Sequence, residues 1–170
     1  MLLVDWITQV DQAKLDFMRK YDKQGWSPID DITHLPFITI KRDIPNFVKE
    51  MQFEKAFCLT LSKSMDEVLK IPPLDRFRLL LWLEHQYDKI NKMEEAYLVS
   101  PPDMKLIAAG IRDLDPLGVV NVIDMLANGD ITKWSEVEKL PYSLCFEKQL
   151  KNTIEKRIEK KLIDQQKNKK

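Results

Sequence analysis

Residues 64–77 read Ser-Met-Asp-Glu-Val-Leu-Lys-Ile-Pro-Pro-Leu-Asp-Arg-Phe, and two opposed signals lie inside them. Ser64 and Glu67 have the spacing of a capping box, in which each side chain satisfies the other residue's free backbone amide and so opens a helix. Pro72 and Pro73 end that helix, because proline lacks the amide that a helix interior needs. The same ring is well tolerated in a first turn, so a new helix can start where the old one stops. The spacing therefore predicts a short helix ending near Ile71, a sharp corner, and a long helix over about 74–97.

The corner occurs twice. Met65–Phe77 aligns without gaps on Trp134–Phe146 at a constant offset of 69 residues, with Glu67/Glu136, Val68/Val137, Lys70/Lys139, Pro72/Pro141 and Phe77/Phe146 identical. Each copy turns Val and Ile or Leu inward, and the Phe anchors the long helix that follows. In the second copy Lys133 stands where Ser64 stands in the first, so the cap is expected from Thr132. The echo reads either as a duplication or as the joint any capped helix–proline–helix makes. Two copies fall short of the three or so that a solenoid needs.

The pattern S-x-x-E-V-L-K-[IL]-P before a long helix, with the later Gly129-Asp130-Ile131-x-Lys133-Trp134-x-Glu136-Val137-x-Lys139-Leu140-Pro141-Tyr142 before a Lys/Glu-rich terminal helix, resembles small helical proteins of tailed bacteriophages. These are head–tail connector, ring or tail-assembly components. The glycine-poor, lysine- and asparagine-containing composition is similar to that of such proteins from crAss-like phages. The resemblance covers residues 62–98 and 128–163. It implies an assembly role among other structural proteins, in the host cytoplasm or the virion, and it carries over no catalytic residue.

Elsewhere the chain is helical and punctuated by proline, with four glycines against nine prolines and apolar residues mostly three or four apart. Trp6, Ile7, Val10, Phe17, Met18 and Tyr21 share one face of a first helix, with Asp5 as its N-cap and Gly25 as its stop. Pro28, Pro36 and Pro45 interrupt residues 26–46, where Phe37-Ile38-Thr39-Ile40 is the one strand-like stretch. A lone strand cannot satisfy its own backbone. The stretch reads first as an extended loop, alternatively as half of a hairpin, or as a strand added to another chain's sheet. Helix resumes near Asn46 and runs through Phe47, Val48, Met51, Phe57, Cys58 and Leu61. Ser100 caps a segment with Pro101 and Pro102 in its first turn. Asp115-Pro116 opens another helix that Asn128-Gly129 closes, and the last helix runs from about Tyr142 into the charged tail.

The expected fold is mostly α. It is a multi-helix bundle with two helix–proline–helix corners, a short extended or strand segment near 37–40, and a long C-terminal helix. Residues 1–146 form the core domain, with an extended proline-rich segment at 26–46, and residues 147–170 form a basic C-terminal helix or arm. Leu79–Leu83 is apolar on all sides, which suits a central buried helix holding Trp82, or alternatively an oligomer surface.

Composition narrows the function. Hydrophobic residues make up 44% and charged residues 32% of 170, so the chain is globular, and its zero net charge argues against a global attraction to nucleic acid or acidic membranes. Residues 147–170 nevertheless carry nine basic against four acidic side chains. Cys58 and Cys145 read as reduced core residues of a cytosolic protein. Asp5 interrupts the N-terminal apolar residues too early for a signal peptide, and Leu79–Leu83 is too short to span a bilayer.

Chemistry-bearing patterns are missing. His34 and His85 stand alone, no glycine motif cradles phosphate, and no nucleophile elbow occurs. Asp30-Asp31 and the pair Asp113 and Asp115 read as turn and cap residues. No cofactor, metal or catalytic set is expected. The leading reading is a noncatalytic structural or assembly protein that contacts other structural proteins and forms a homo-oligomer or ring. Its candidate contacts are Phe37, Ile38 and Ile40, then the stripe Phe146, Leu150, Ile154, Ile158 and Leu162, then Lys167, Lys169 and Lys170. The alternative is a nucleic-acid-binding regulator using the basic arm, although no aromatic platform accompanies its lysines.

Overall fold

Helices carry most of the chain that the computed structural model describes, residues 31–99 and 104–167. Among the described residues there are eight α-helices and no strand. They are α1 (Ile44–Lys49), α2 (Phe53–Leu61), α3 (Met65–Leu69), α4 (Pro73–Tyr97), α5 (Met104–Ala108), α6 (Val119–Leu126), α7 (Trp134–Lys139) and α8 (Tyr142–Lys167). None is long and apolar enough to cross a membrane. The first helix expected over Trp6–Tyr21, its cap Asp5 and stop Gly25, and the Ser100 cap with Pro101 and Pro102 lie outside the described residues.

Both corners form. Ser64 Oγ and the Glu67 carboxylate close the capping box, with the Ser64 amide 2.9 Å from Glu67 Oε2. Val68 and Val137 are buried, and α4 and α8 begin at Pro73 and Tyr142, equivalent positions of the repeat. The second cap differs from expectation. Asp130, not Thr132, supplies it by accepting from the Thr132 amide at 3.0 Å and the Thr132 hydroxyl at 2.6 Å. It opens a 3-10 turn, Ile131–Lys133, that runs into α7. A carboxylate is the better N-cap, and it occupies the hydroxyl that would otherwise compete.

The extended loop or strand expected at Phe37–Ile40 is helical instead. Phe37 and Ile38 are α-helical and Thr39–Asp43 is a π turn leading into α1, so the described part of segment 26–46 is a turn up to Pro36 and helical from Phe37. The physical reason is tertiary. Pro36 makes a single antiparallel bridge to Pro141, with the Phe37 amide 2.7 Å from the Leu140 carbonyl and the Tyr142 amide 2.9 Å from that of Leu35. The Tyr87 hydroxyl donates to the Ile40 carbonyl at 2.7 Å, satisfying an acceptor in the widened turn.

Two further boundaries move. The helix expected from Asn46 to Leu61 breaks at Glu50–Gln52, where Met51 takes the left-handed conformation (φ 58°) and the Gln52 amide bonds back to the Phe47 carbonyl at 2.7 Å. That is the helix stop usually made by glycine. Asp115 and Pro116 lie inside a 3-10 run, Ile111–Leu117, and α6 starts only after Gly118. Asn128 and Gly129 do close α6, both at positive φ. The core gathers Phe37, Ile40, Ile44, Leu79, Leu83 and Tyr142, and the Leu79–Leu83 stretch is central, with Trp82 buried.

Candidate interaction surface

α8 is anchored in the core at its root and held again at Arg157. At its root Tyr142 is fully buried, its ring 6.3 Å from those of both Phe37 and Phe146. Its hydroxyl donates to Glu94 Oε1 at 2.7 Å, while Lys41 Nζ lies 2.6 Å from Glu94 Oε2 and 5.9 Å from the Tyr142 ring centroid. Burial, then the Glu94 carboxylate, push the phenol far above its ordinary range, so it stays a donor. Burial likewise pushes the Cys145 thiol up to about 11, which leaves it protonated and inert near neutrality.

Along α8 the apolar stripe divides. Phe146 is buried and Leu150 packs against the core, whereas every residue from Ile154 to Gln166 is exposed. Ile154, Ile158 and Leu162 are 45%, 52% and 54% exposed. Steps of four residues drift about 40° each around a helix, so the stripe winds off the face that the body covers. Arg157 holds the middle of the helix, donating at 3.1 Å to the carbonyls of Tyr97 and Val99 where α4 ends. Exposed Ile163 adds to the apolar end, and its signal was its place beside Leu162 one step off the stripe.

The other candidates fare differently. Phe37, Ile38 and Ile40 are core residues, buried beneath α4 and α8 contacts, and offer no surface to a partner. Lys167 ends α8, while Lys169 and Lys170 lie outside the described residues. Over residues 154–166 the charge is mixed, four basic side chains against three acidic. His34 and His85 are both exposed, and among the described residues no three His, Cys, Asp or Glu side chains could hold a metal together. Asp31 serves its turn, accepting from the Thr33 amide and hydroxyl at 2.9 and 2.7 Å.

Sequence reasoning missed two surfaces. A groove of about 520 Å³ lies beside the α8 root, lined by Leu126, Val137, Leu140 and Leu144 with Lys148 and Lys151. The run Ile111–Leu117 is exposed throughout, because Pro116 sits within a 3-10 helix and does not open α6. The i, i+4, i+7 spacing of Leu144, Lys148 and Lys151 could have signalled the first. The chain matches no family model, no curated protein and no solved structure.

Proposed function

We propose that this chain is a noncatalytic assembly protein that works through protein–protein contacts made by the free end of α8. The supporting observation is the exposed apolar end of a helix whose root is locked in the core. Ile154, Ile158 and Leu162 are exposed on successive turns of α8 past its buried root, and exposed Ile163 follows on an adjacent face. An apolar row held out on a fixed helix suits insertion into a groove or pairing with another helix. The resemblance of the two corners to connector, ring and tail-assembly components of tailed phages supports a particle or its assembly as the setting, with copies of the chain as the first partners. The near balance of charge over residues 154–166 favours protein over nucleic acid as what this surface meets.

The test is self-association of the full chain with and without Ile158→Glu and Leu162→Glu. Both sites are exposed, so the body should fold unchanged while association falls. A doubly substituted chain that assembles as the unaltered one does would remove the helix end from the interface.

A further inference from the structure

The exposed face of α8 is complementary to itself when reversed. Leu144, Lys151 and Ile158 are seven residues apart, and such steps drift only about 20° around a helix, so the three mark one line along α8. All three are exposed. The line starts on the wall of the α6–α7–α8 groove and ends in the apolar row past the buried root. Two edges of the same period flank it. Glu147, Ile154 and Lys161 follow one edge, and Lys148, Glu155 and Leu162 follow the other. Glu159 lies outside the second edge, one turn after Glu155.

The first edge reads acid, apolar, base about Ile154. The second carries a base at its root, then an acid and Leu162 towards its far end. Among the described residues Glu147, Lys148, Glu159 and Lys161 are in no ion pair. Lys151 and Glu155 are paired with each other at 3.5 Å, and Arg157 donates to the carbonyls of Tyr97 and Val99.

We infer that two copies pair through α8, antiparallel, about a two-fold axis at Ile154. Such an axis sets each edge against the same edge of the other helix. Glu147 then faces Lys161 of the second copy, each seven residues from the axis, and Lys148 faces its Glu159. Leu162, about 12 Å from the axis at 1.5 Å per residue, comes level with the second copy's α8 between Leu144 and Lys148. There Leu126, Val137 and Leu140 line the groove. The Lys151–Glu155 pairs of the two copies meet near the axis, each lysine beside the other copy's glutamate. A parallel pair sets opposite edges together. It puts Ile154 against Glu155 and Lys161 against Leu162, and it brings row to row and groove to groove. The antiparallel contact is isologous and closes at two copies. It rests on the assembly reading above and supplies what the end of α8 meets, the groove of a second copy.

Analytical ultracentrifugation of full-length chains over a range of concentrations at low salt tests it, with fold checked by far-UV circular dichroism. The unaltered chain should move from 20.1 kDa toward twice that mass and stop there. Glu147→Lys sets like charges together at two places and should weaken pairing about tenfold. Adding Lys161→Glu to the same chain should restore it. Restoration is peculiar to the antiparallel pair, because parallel helices keep positions 147 and 161 about 21 Å apart. Leu144→Glu blocks the groove and should cut pairing as sharply as Ile158→Glu/Leu162→Glu does. The charge exchange involves exposed residues only, so it decides the matter even where Leu144→Glu alters the fold. An unaltered chain that stays at 20.1 kDa, or an Ile158→Glu/Leu162→Glu chain that pairs like its parent, would overturn both the inference and the helix-end reading. With that variant impaired, three results would overturn the inference alone and leave the helix-end reading standing. They are a mass that climbs past two copies, an exchange that fails to restore pairing, and a folded Leu144→Glu chain that pairs like its parent.

Discussion

The phenol of Tyr142 and the carboxylate of Glu94 are 48 residues apart in sequence and 2.7 Å apart in the fold. The bond joins the first turn of α8 to the last turns of α4, and Lys41 from the π turn occupies the carboxylate's other oxygen. Three elements thus meet at one acid. Their meeting fixes the direction in which α8 leaves the body, and so which of its residues are left uncovered.

Tyr142→Phe keeps the ring between Phe37 and Phe146 but removes the hydrogen bond to Glu94. A bond to a charged group is worth about 1.5–3 kcal/mol, and urea unfolding should show a loss of that order. Tyr142→Ala also removes a fully buried ring and should cost about 3–5 kcal/mol. Equal stability of Tyr142→Phe and the unaltered chain would mean that Glu94 is not held by the phenol.

Alkaline pH should unfold this protein early. Burial holds the Tyr87 and Tyr142 phenols above their ordinary value of 10.0 and the Cys145 thiol at about 11, against 9.0. The unfolded chain releases these protons first, so it binds fewer than the folded chain does. Stability is therefore complete below pH 9 and falls as pH rises beyond it. Unfolding free energies from urea titrations should be flat up to pH 9 and then decline, with Tyr87→Phe softening the decline above pH 10. A profile flat through pH 11 would contradict the burial of these groups.

Phe37→Ala should destabilise by about 3–5 kcal/mol, the usual cost of truncating a buried aromatic ring. Its effect on association should be no more than that loss of stability produces. A well-folded Phe37→Ala chain that fails to associate would return this residue to the surface.

The two corners differ in how they are capped. Ser64→Ala and Asp130→Ala should each cost about 1 kcal/mol, while Thr132→Val, which keeps the backbone amide that Asp130 accepts from, should cost less than Asp130→Ala. Thermal unfolding of the three variants separates these outcomes. A larger loss at Thr132 than at Asp130 would reverse the assignment of the cap.

Much of the fold was legible because its signals are local. The Ser64–Glu67 box, Pro72-Pro73, Pro141 and Asn128-Gly129 bound α3, α4, α8 and the end of α6 through the conformations of those residues alone. Phe37–Ile40 misled for the opposite reason. A β-branched apolar run between prolines has strand propensity, and only partners far along the chain, Leu140 and Tyr87, make a helical turn the better arrangement. The break at Met51 carries no glycine or proline to announce it. The stripe on α8 was visible as a period, but the point where burial gives way to exposure, after Thr153, depends on where α4 ends beside it. The exposed 111–117 run was hidden by reading Pro116 as a helix start.

Native mass in solution is the measurement to make, by light scattering after size exclusion over a wide range of concentrations. The full chain should run above 20.1 kDa and grow with concentration, and Ile158→Glu/Leu162→Glu should sharply reduce that growth. A full chain that stays at 20.1 kDa at every concentration, or a variant that assembles like its parent, would contradict assembly through the end of α8.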